Sequence, residues 1–153
     1  MLRKVLLTAG VGALVAIAIG GASFASASGG GRTIVVIEKT TSNKFLDLGK
    51  RGPSVGDEFF FGSAFWNTAR TRRVGSNHGY CVLESKTLLH CVGTAHVNGG
   101  TLEYAFQGNT SSTPPTPAIT GGTGAFEGAG GHVDITNLNP DGSVTRDVIH
   151  VTS

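Results

Sequence analysis

From Arg32 onward the chain places apolar and polar residues in short alternating runs, and no long stretch repeats apolar residues at helical spacing. Runs rich in Val, Ile, Thr and aromatic residues predict strands over 32–40, 57–66, 73–84, 88–97, 101–107, 118–120, 131–138 and 143–151. The breaks between them are well marked. Asn98-Gly99-Gly100 and Asn139-Pro140-Asp141-Gly142 are tight-turn signals, and Ser111-Ser112-Thr113-Pro114-Pro115 is a loop whose prolines block strand pairing. Eight short antiparallel strands suit a closed barrel better than an open sheet, because closure removes unpaired edges. A β-sandwich is the alternative. The expected fold is therefore all-β, a closed eight-stranded antiparallel barrel with one helical turn near 123–129. A barrel of this strand number either holds one small ligand or fills itself with side chains.

Residues 1–27 break the pattern and read as an export signal. Arg3 and Lys4 supply the positive start, Val5 to Gly21 the apolar stretch, and Ala25-Ser26-Ala27 a small-residue cleavage site. The rival reading is a permanent membrane helix, but the apolar run breaks at Gly20-Gly21 and no basic stop-transfer cluster follows. Cleavage between Ala27 and Ser28 leaves a single domain over 28–153, secreted and free of the membrane once the signal is gone. No cysteine lies near the boundary, which excludes a lipoprotein anchor.

Charge narrows the partners. Of the 12 Lys and Arg residues two lie in the leader, so the remaining ten balance the 10 Asp and Glu. A neutral chain has no general electrostatic reason to seek phosphates, and nucleic acid is excluded as the main partner. Charged residues make up only 14% of the sequence, against roughly 25% in an ordinary domain, which also excludes a coiled coil or a solvated disordered chain. Export gives the two cysteines meaning, since the protein meets oxidising conditions. Pairing Val82 with His90 and Leu83 with Leu89 across a turn at Ser85-Lys86-Thr87 sets Cys81 opposite Cys91, at disulfide distance. Two free buried thiols is the other reading.

The stretch Gly121-Gly122-Thr123-Gly124-Ala125-Phe126-Glu127-Gly128-Ala129-Gly130-Gly131 is not a dinucleotide loop, because the third glycine of that motif falls on Glu127 and no βαβ unit surrounds it. It reads as a strand end, a turn anchored by Phe126, and a return into the next strand. With Pro117 to Thr120 before it, the stretch closely resembles the signature of allene oxide cyclases, and less closely the Gly-Thr-Gly segment of plant dirigent proteins. Val55-Gly56-Asp57, Phe61 and Gly79-Tyr80-Cys81-Val82-Leu83 extend the similarity over most of 33–138. The resemblance implies an eight-stranded barrel that steers a reactive small molecule in a largely apolar cavity, without a cofactor. It also leaves a homo-oligomer open, since some members of the family form trimers.

Carried over by position, the resemblance puts the cyclase's pocket glutamate on Glu38 and its pocket cysteine on Cys81. Its two pocket asparagines become Thr40 and Ser63. Its pocket tyrosine has no clear counterpart, Thr110 being the nearest, and the dirigent arginine is replaced by Gly130. These departures argue against the plant reaction itself. Alternation places Phe59, Phe61, Ser63 and Phe65 on the face that the resemblance turns inward, so these four, with Thr40 and Cys81, form the expected ligand wall. The plainer reading of the aromatic run is core packing. Glu38, if it faces the interior, is a candidate acid, base or electrostatic anchor; otherwise it is a solvent-facing strand residue. No paired-carboxylate, Ser-His-Asp or phosphate-loop motif stands out. The histidines lack metal-ligand spacing along the chain, because His90 and His96 sit six residues apart and could meet His132 only across strands, so no metal is expected. Asn109-Thr110-Ser111 matches the glycosylation pattern. The expected function is binding of a small apolar molecule without clear catalytic machinery. The alternatives are a cofactor-free cyclase or isomerase using Glu38, and a structural protein with a filled barrel.

Overall fold

The computed structural model describes residues 30–109 and 114–152, so the leader with Ala27 and Ser28, and the loop containing Thr110, lie outside the described residues. Eight strands follow in order: β1 (Arg32–Leu46), β2 (Glu58–Trp66), β3 (Arg73–Leu83), β4 (Leu88–Val97), β5 (Gly100–Asn109), β6 (Ala118–Gly124), β7 (Gly130–Asn137) and β8 (Val144–Thr152). Each pairs antiparallel with the next, and β8 pairs with β1 to close the barrel. The all-β closed barrel read from alternation is the observed fold.

Several strand boundaries differ from the expectation, β6 running on to Gly124 among them, and two of the differences have a clear local cause. The first strand continues past Thr40 to Leu46, because a bulge between Thr40 and Ser42 resets its register on β2. Such a bulge interrupts the alternation that sequence reading relies on. Thr41, set at the irregularity, donates its hydroxyl hydrogen bond to the Gly62 carbonyl at 3.0 Å. Asp57, read as the start of the second strand, instead staples the preceding loop. It is fully buried, and its carboxylate accepts from the Leu48 N–H at 2.8 Å and from the Ser54 N–H at 2.6 Å. The Leu48 hydrogen bond, with those from Ser54, outweighs burial and holds the Asp57 carboxyl below its ordinary pKa.

One end of the barrel is sealed by apolar residues. Val36, Leu102, Ile119, Ile149 and Val151 pack with Phe126 and Ala129 from the turn after β6. That turn is made of successive short hydrogen bonds, Phe126 N–H to Thr123 O, Glu127 N–H to Gly124 O and Ala129 N–H to Phe126 O, and does not extend into a helix. Gly122 is required beneath it. A Cβ there would lie 2.6 Å from both the Phe126 and the Thr101 carbonyl oxygens, so any side chain would lift the turn off the sheet. Phe126 is left 2% exposed, with the Arg32 guanidinium 4.8 Å over its ring. The opposite end is open.

Cys81 pairs with Cys91 in the register expected, flanked by Val82 with His90 and Leu83 with Leu89, and the two form a disulfide.

Two stability outcomes follow from this architecture. Phe126→Ala empties the sealed end and should cost about 3–5 kcal/mol in denaturant unfolding. Reducing the disulfide under non-denaturing conditions, checked by intact mass, should lower unfolding stability by about 2–3 kcal/mol, the entropy of a short closed loop.

Candidate functional site in the barrel lumen

Period-two alternation in a closed sheet sends one face of every strand into a shared lumen. On β1 that face carries Ile34, Val36, Glu38 and Thr40. On β8 it carries Thr145, Asp147, Ile149 and Val151. The register pairs Val36 with Asp147 and Glu38 with Thr145, so Glu38 and Asp147 are diagonal neighbours across the seam that closes the barrel. Both line an inner cavity of about 140 Å³, whose remaining wall is mostly apolar, with Phe61, Phe65, Phe106 and Ile149 prominent. The barrel is therefore not filled solid, and Glu38 faces the interior.

Two further polar residues complete the site. Asn77 on β3 is 7% exposed, and its side-chain amide donates to Glu38 Oε1 at 3.0 Å. Tyr104 on β5 donates its phenolic proton to Asn77 Oδ1 at 2.8 Å. Thr145 donates to Asp147 Oδ1 at 2.7 Å. The result is a continuous relay of Tyr104, Asn77, Glu38, Asp147 and Thr145 through an apolar chamber. Among the described residues no buried side-chain nitrogen or oxygen lacks a partner. Gly93 makes room for it: a Cβ at that position would run into the Tyr104 hydroxyl.

The electrostatics are those of two carboxyls without a counter-ion, since no cationic side chain lines the inner cavity among the described residues. Asp147 is 3% exposed. Burial pushes its pKa up from the ordinary 3.8 to about 8, and the hydrogen bond with Glu38 and the Glu38 charge add to the rise, against the opposing Thr145 bond. The rise favours the protonated form of Asp147 at neutral pH, hydrogen-bonded to Glu38. Burial likewise raises the Tyr104 pKa, so its phenol stays protonated and acts as a donor. A neutral carboxylic acid beside a second carboxyl can hand a proton to a ligand oxygen or nitrogen and take one from a nearby C–H, N–H or O–H.

Beyond Glu38 the lumen widens into an open mouth of about 430 Å³, whose wall includes Glu38 and Phe61 again, so the glutamate stands at the junction of the two spaces. Thr40, Phe59, Ser63 and Cys81 line the mouth, whereas Phe65 lines only the inner cavity. Cys81 is there as half of the disulfide, so the mouth presents its sulfur without a free thiol.

Sequence reading missed Asp147, Asn77 and Tyr104, and its view that no paired carboxylates stand out is corrected by the Glu38–Asp147 contact. The pair is formed by strand closure and leaves no local spacing to recognise. The signal for Asp147 was still present: it is the acidic residue on the otherwise apolar inner face of its strand. A pocket tyrosine is also present after all, supplied from within β5 by Tyr104. The histidines meet only across strands. His90 and His96 are exposed on the outer face, and His132 meets His150 instead of either of them.

No family model matches the sequence, and no curated protein matches it. Solved structures do. Pyocyanin demethylase superposes with a TM-score of 0.68 at 25% identity, over 79% of this chain and 100% of that one. A pterocarpan synthase dirigent protein gives 0.65 at 20% identity, over 81% of this chain and 88% of that one. An exo-specific intermolecular Diels-Alderase gives 0.62 at 14% identity, over 82% and 100%. The chain shares its closed-barrel fold with dirigent proteins, pyocyanin demethylase and this Diels-Alderase.

Proposed function

We propose that this protein binds one small, mainly apolar organic molecule in the barrel lumen and performs cofactor-free acid–base chemistry on it, of the isomerase or cyclase kind. The observation that carries the reading is the Glu38–Asp147 pair in an apolar chamber, with Asp147 buried, its pKa raised, and Glu38 half-buried beside it. An unneeded pair of this kind is costly, because an apolar lumen stabilises apolar side chains better than carboxyls. The inner cavity is smaller than a typical drug-sized site, so only the reacting part of the molecule reaches the pair. The remainder lies in the mouth against Phe59, Phe61, Thr40 and Ser63. Asp147 donates to the ligand's polar atom and Glu38 receives the proton that leaves; Tyr104 and Asn77 orient the glutamate. The structural neighbours named for demethylase, pterocarpan synthase and Diels-Alderase activity support small organic molecules as the ligand class.

A carrier without chemistry is the second reading, favoured by Thr40 and Ser63 standing where the resemblance expects asparagines. Export completes the proposal: the chain begins at Ser28 after cleavage and works outside the cell. The disulfide is consistent with this, and no helix among the described residues is long and apolar enough to cross a membrane.

Native mass spectrometry of protein taken from culture supernatant tests ligand, disulfide and the Ser28 start together. With pyocyanin and small conjugated enones as probes, wild type should shift in melting temperature with at least one of them. Glu38→Gln and Asp147→Asn should each lower any turnover by about 10²–10⁴-fold, the usual contribution of a positioned acid or base. Turnover that survives both substitutions would sink the acid–base role. Binding without turnover, unchanged by either variant, would leave the carrier.

The protonation of Asp147 has its own test. Its folded pKa lies above the unfolded value, so between the two the native state holds more protons than the unfolded chain. This contribution is fully present below the unfolded pKa near 3.8 and is lost as pH rises toward about 8. Unfolding stability of wild type should therefore decline across that window relative to Asp147→Asn, and the variant should be the more stable protein above it. Parallel pH profiles for the two proteins would show instead that Asp147 is ionised in the fold.

A further inference from the structure

The outer face of the β7–β8 pair carries a second constellation, unconnected with the lumen. His132 and His150 sit directly opposite each other in the register. Their rings stack at 4.7 Å between centroids with 22° between planes. Asp134, two residues along β7 on the same face, brings its Oδ2 to 3.1 Å from His150 Nε2 and 3.9 Å from His132 Nε2. The three donor atoms lie within 4.8 Å of one another. Val133 and Ile149, the neighbours that point the other way, line the inner cavity, so the sheet separates this cluster from the candidate site.

We infer that His132, Asp134 and His150 form a binding site for a borderline divalent cation, Zn²⁺ foremost. The donor set is the first argument. Two imidazole nitrogens and one carboxylate oxygen are what zinc, copper(II) and nickel(II) accept, whereas magnesium and calcium require a shell of oxygens. Geometry is the second. Ligands bound to zinc at 2.0–2.2 Å in a tetrahedron stand about 3.4 Å apart. The separations of 3.1 and 3.9 Å from Asp134 bracket that edge, and small side-chain rotations close the rest.

Access is the third argument. The side chains are 36–57% exposed. Along the same row, His132 is flanked by Ala118 of β6 and His150 by Thr33 of β1, both small. An ion held by three protein ligands therefore keeps a coordination position open to water or to a donor from outside. The residues are dispersed in sequence as H-x-D on one strand and a lone histidine on the next, and only the antiparallel register assembles them.

The test uses the full, disulfide-intact protein, stripped with a chelator and then freed of it, in a non-coordinating buffer at neutral pH. Calorimetric titration with Zn²⁺ alone should saturate at one equivalent and raise the melting temperature. His132→Ala and His150→Ala should each weaken binding by at least about tenfold, a conservative figure for a lost ligand given what outer-shell losses cost. His96→Ala, on the outer face of β4, should leave the isotherm unchanged. Should an alanine variant fail to fold by circular dichroism, Asp134→Asn decides in its place by the same loss of affinity. Binding that does not saturate at one equivalent, survives the ligand substitutions, or vanishes with His96→Ala would overturn the site.

Discussion

Closure of the sheet through the pairing of β1 with β8 is the constraint on which the lumen and its polar cluster depend. It converts two distant strands into neighbours along eight paired positions, from Arg32 opposite Val151 to Lys39 opposite Val144. Without it Glu38 would face water and Asp147 would be an ordinary surface carboxylate. With it, Asp147 is buried and Glu38 half-buried, each beside the other. Their proximity results from topology more than from either residue's immediate sequence. The same register acts on the outer surface, where β8 presents His150 to β7 while turning Ile149 inward.

How much of this could be read in advance follows from the range of the interactions involved. The turn glycines, the Cys81–Cys91 register and the strand alternation are local or near-local, and they were legible. The long β1 was not, because the bulge after Thr40 shifts the period by one residue. Glu38 was found through a resemblance to a known signature, and its direction needed the structure. Asp147 was missed because an acid in a strand is expected to face water until its neighbours show that face to be apolar. Asn77 and Tyr104 were missed for a related reason. Each lies on an inner face whose purpose becomes visible only when all the strands point at one lumen.

The site also illustrates how an apolar barrel tolerates acidic groups. Among the described residues no buried polar side-chain atom lacks a partner, which removes the heaviest penalty of burial, and the raised pKa of Asp147 favours its neutral form. Rigidity at the mouth comes from separate devices. The disulfide ties β3 to β4, and buried Asp57 pins the loop between β1 and β2 through Leu48 and Ser54. The Gly56 N–H and the Asp57 carbonyl also bond to Leu83 of β3, so the loop moves with the wall.

The β6–β7 junction is different in kind. The two strands pair at only Ala118 with His132 and Ile119 with Gly131, supplemented by the Val133 N–H bonded to the Pro117 carbonyl. Local opening in a folded protein starts where the fewest hydrogen bonds must break together. Pro117 and Val133 both border the inner cavity, so parting these strands unzips the barrel wall beside the carboxyl pair. The barrel wall is therefore held by the fewest ladder pairs beside the inner cavity, and amide protons at this junction should exchange with solvent sooner than those of the long β1–β2 ladder.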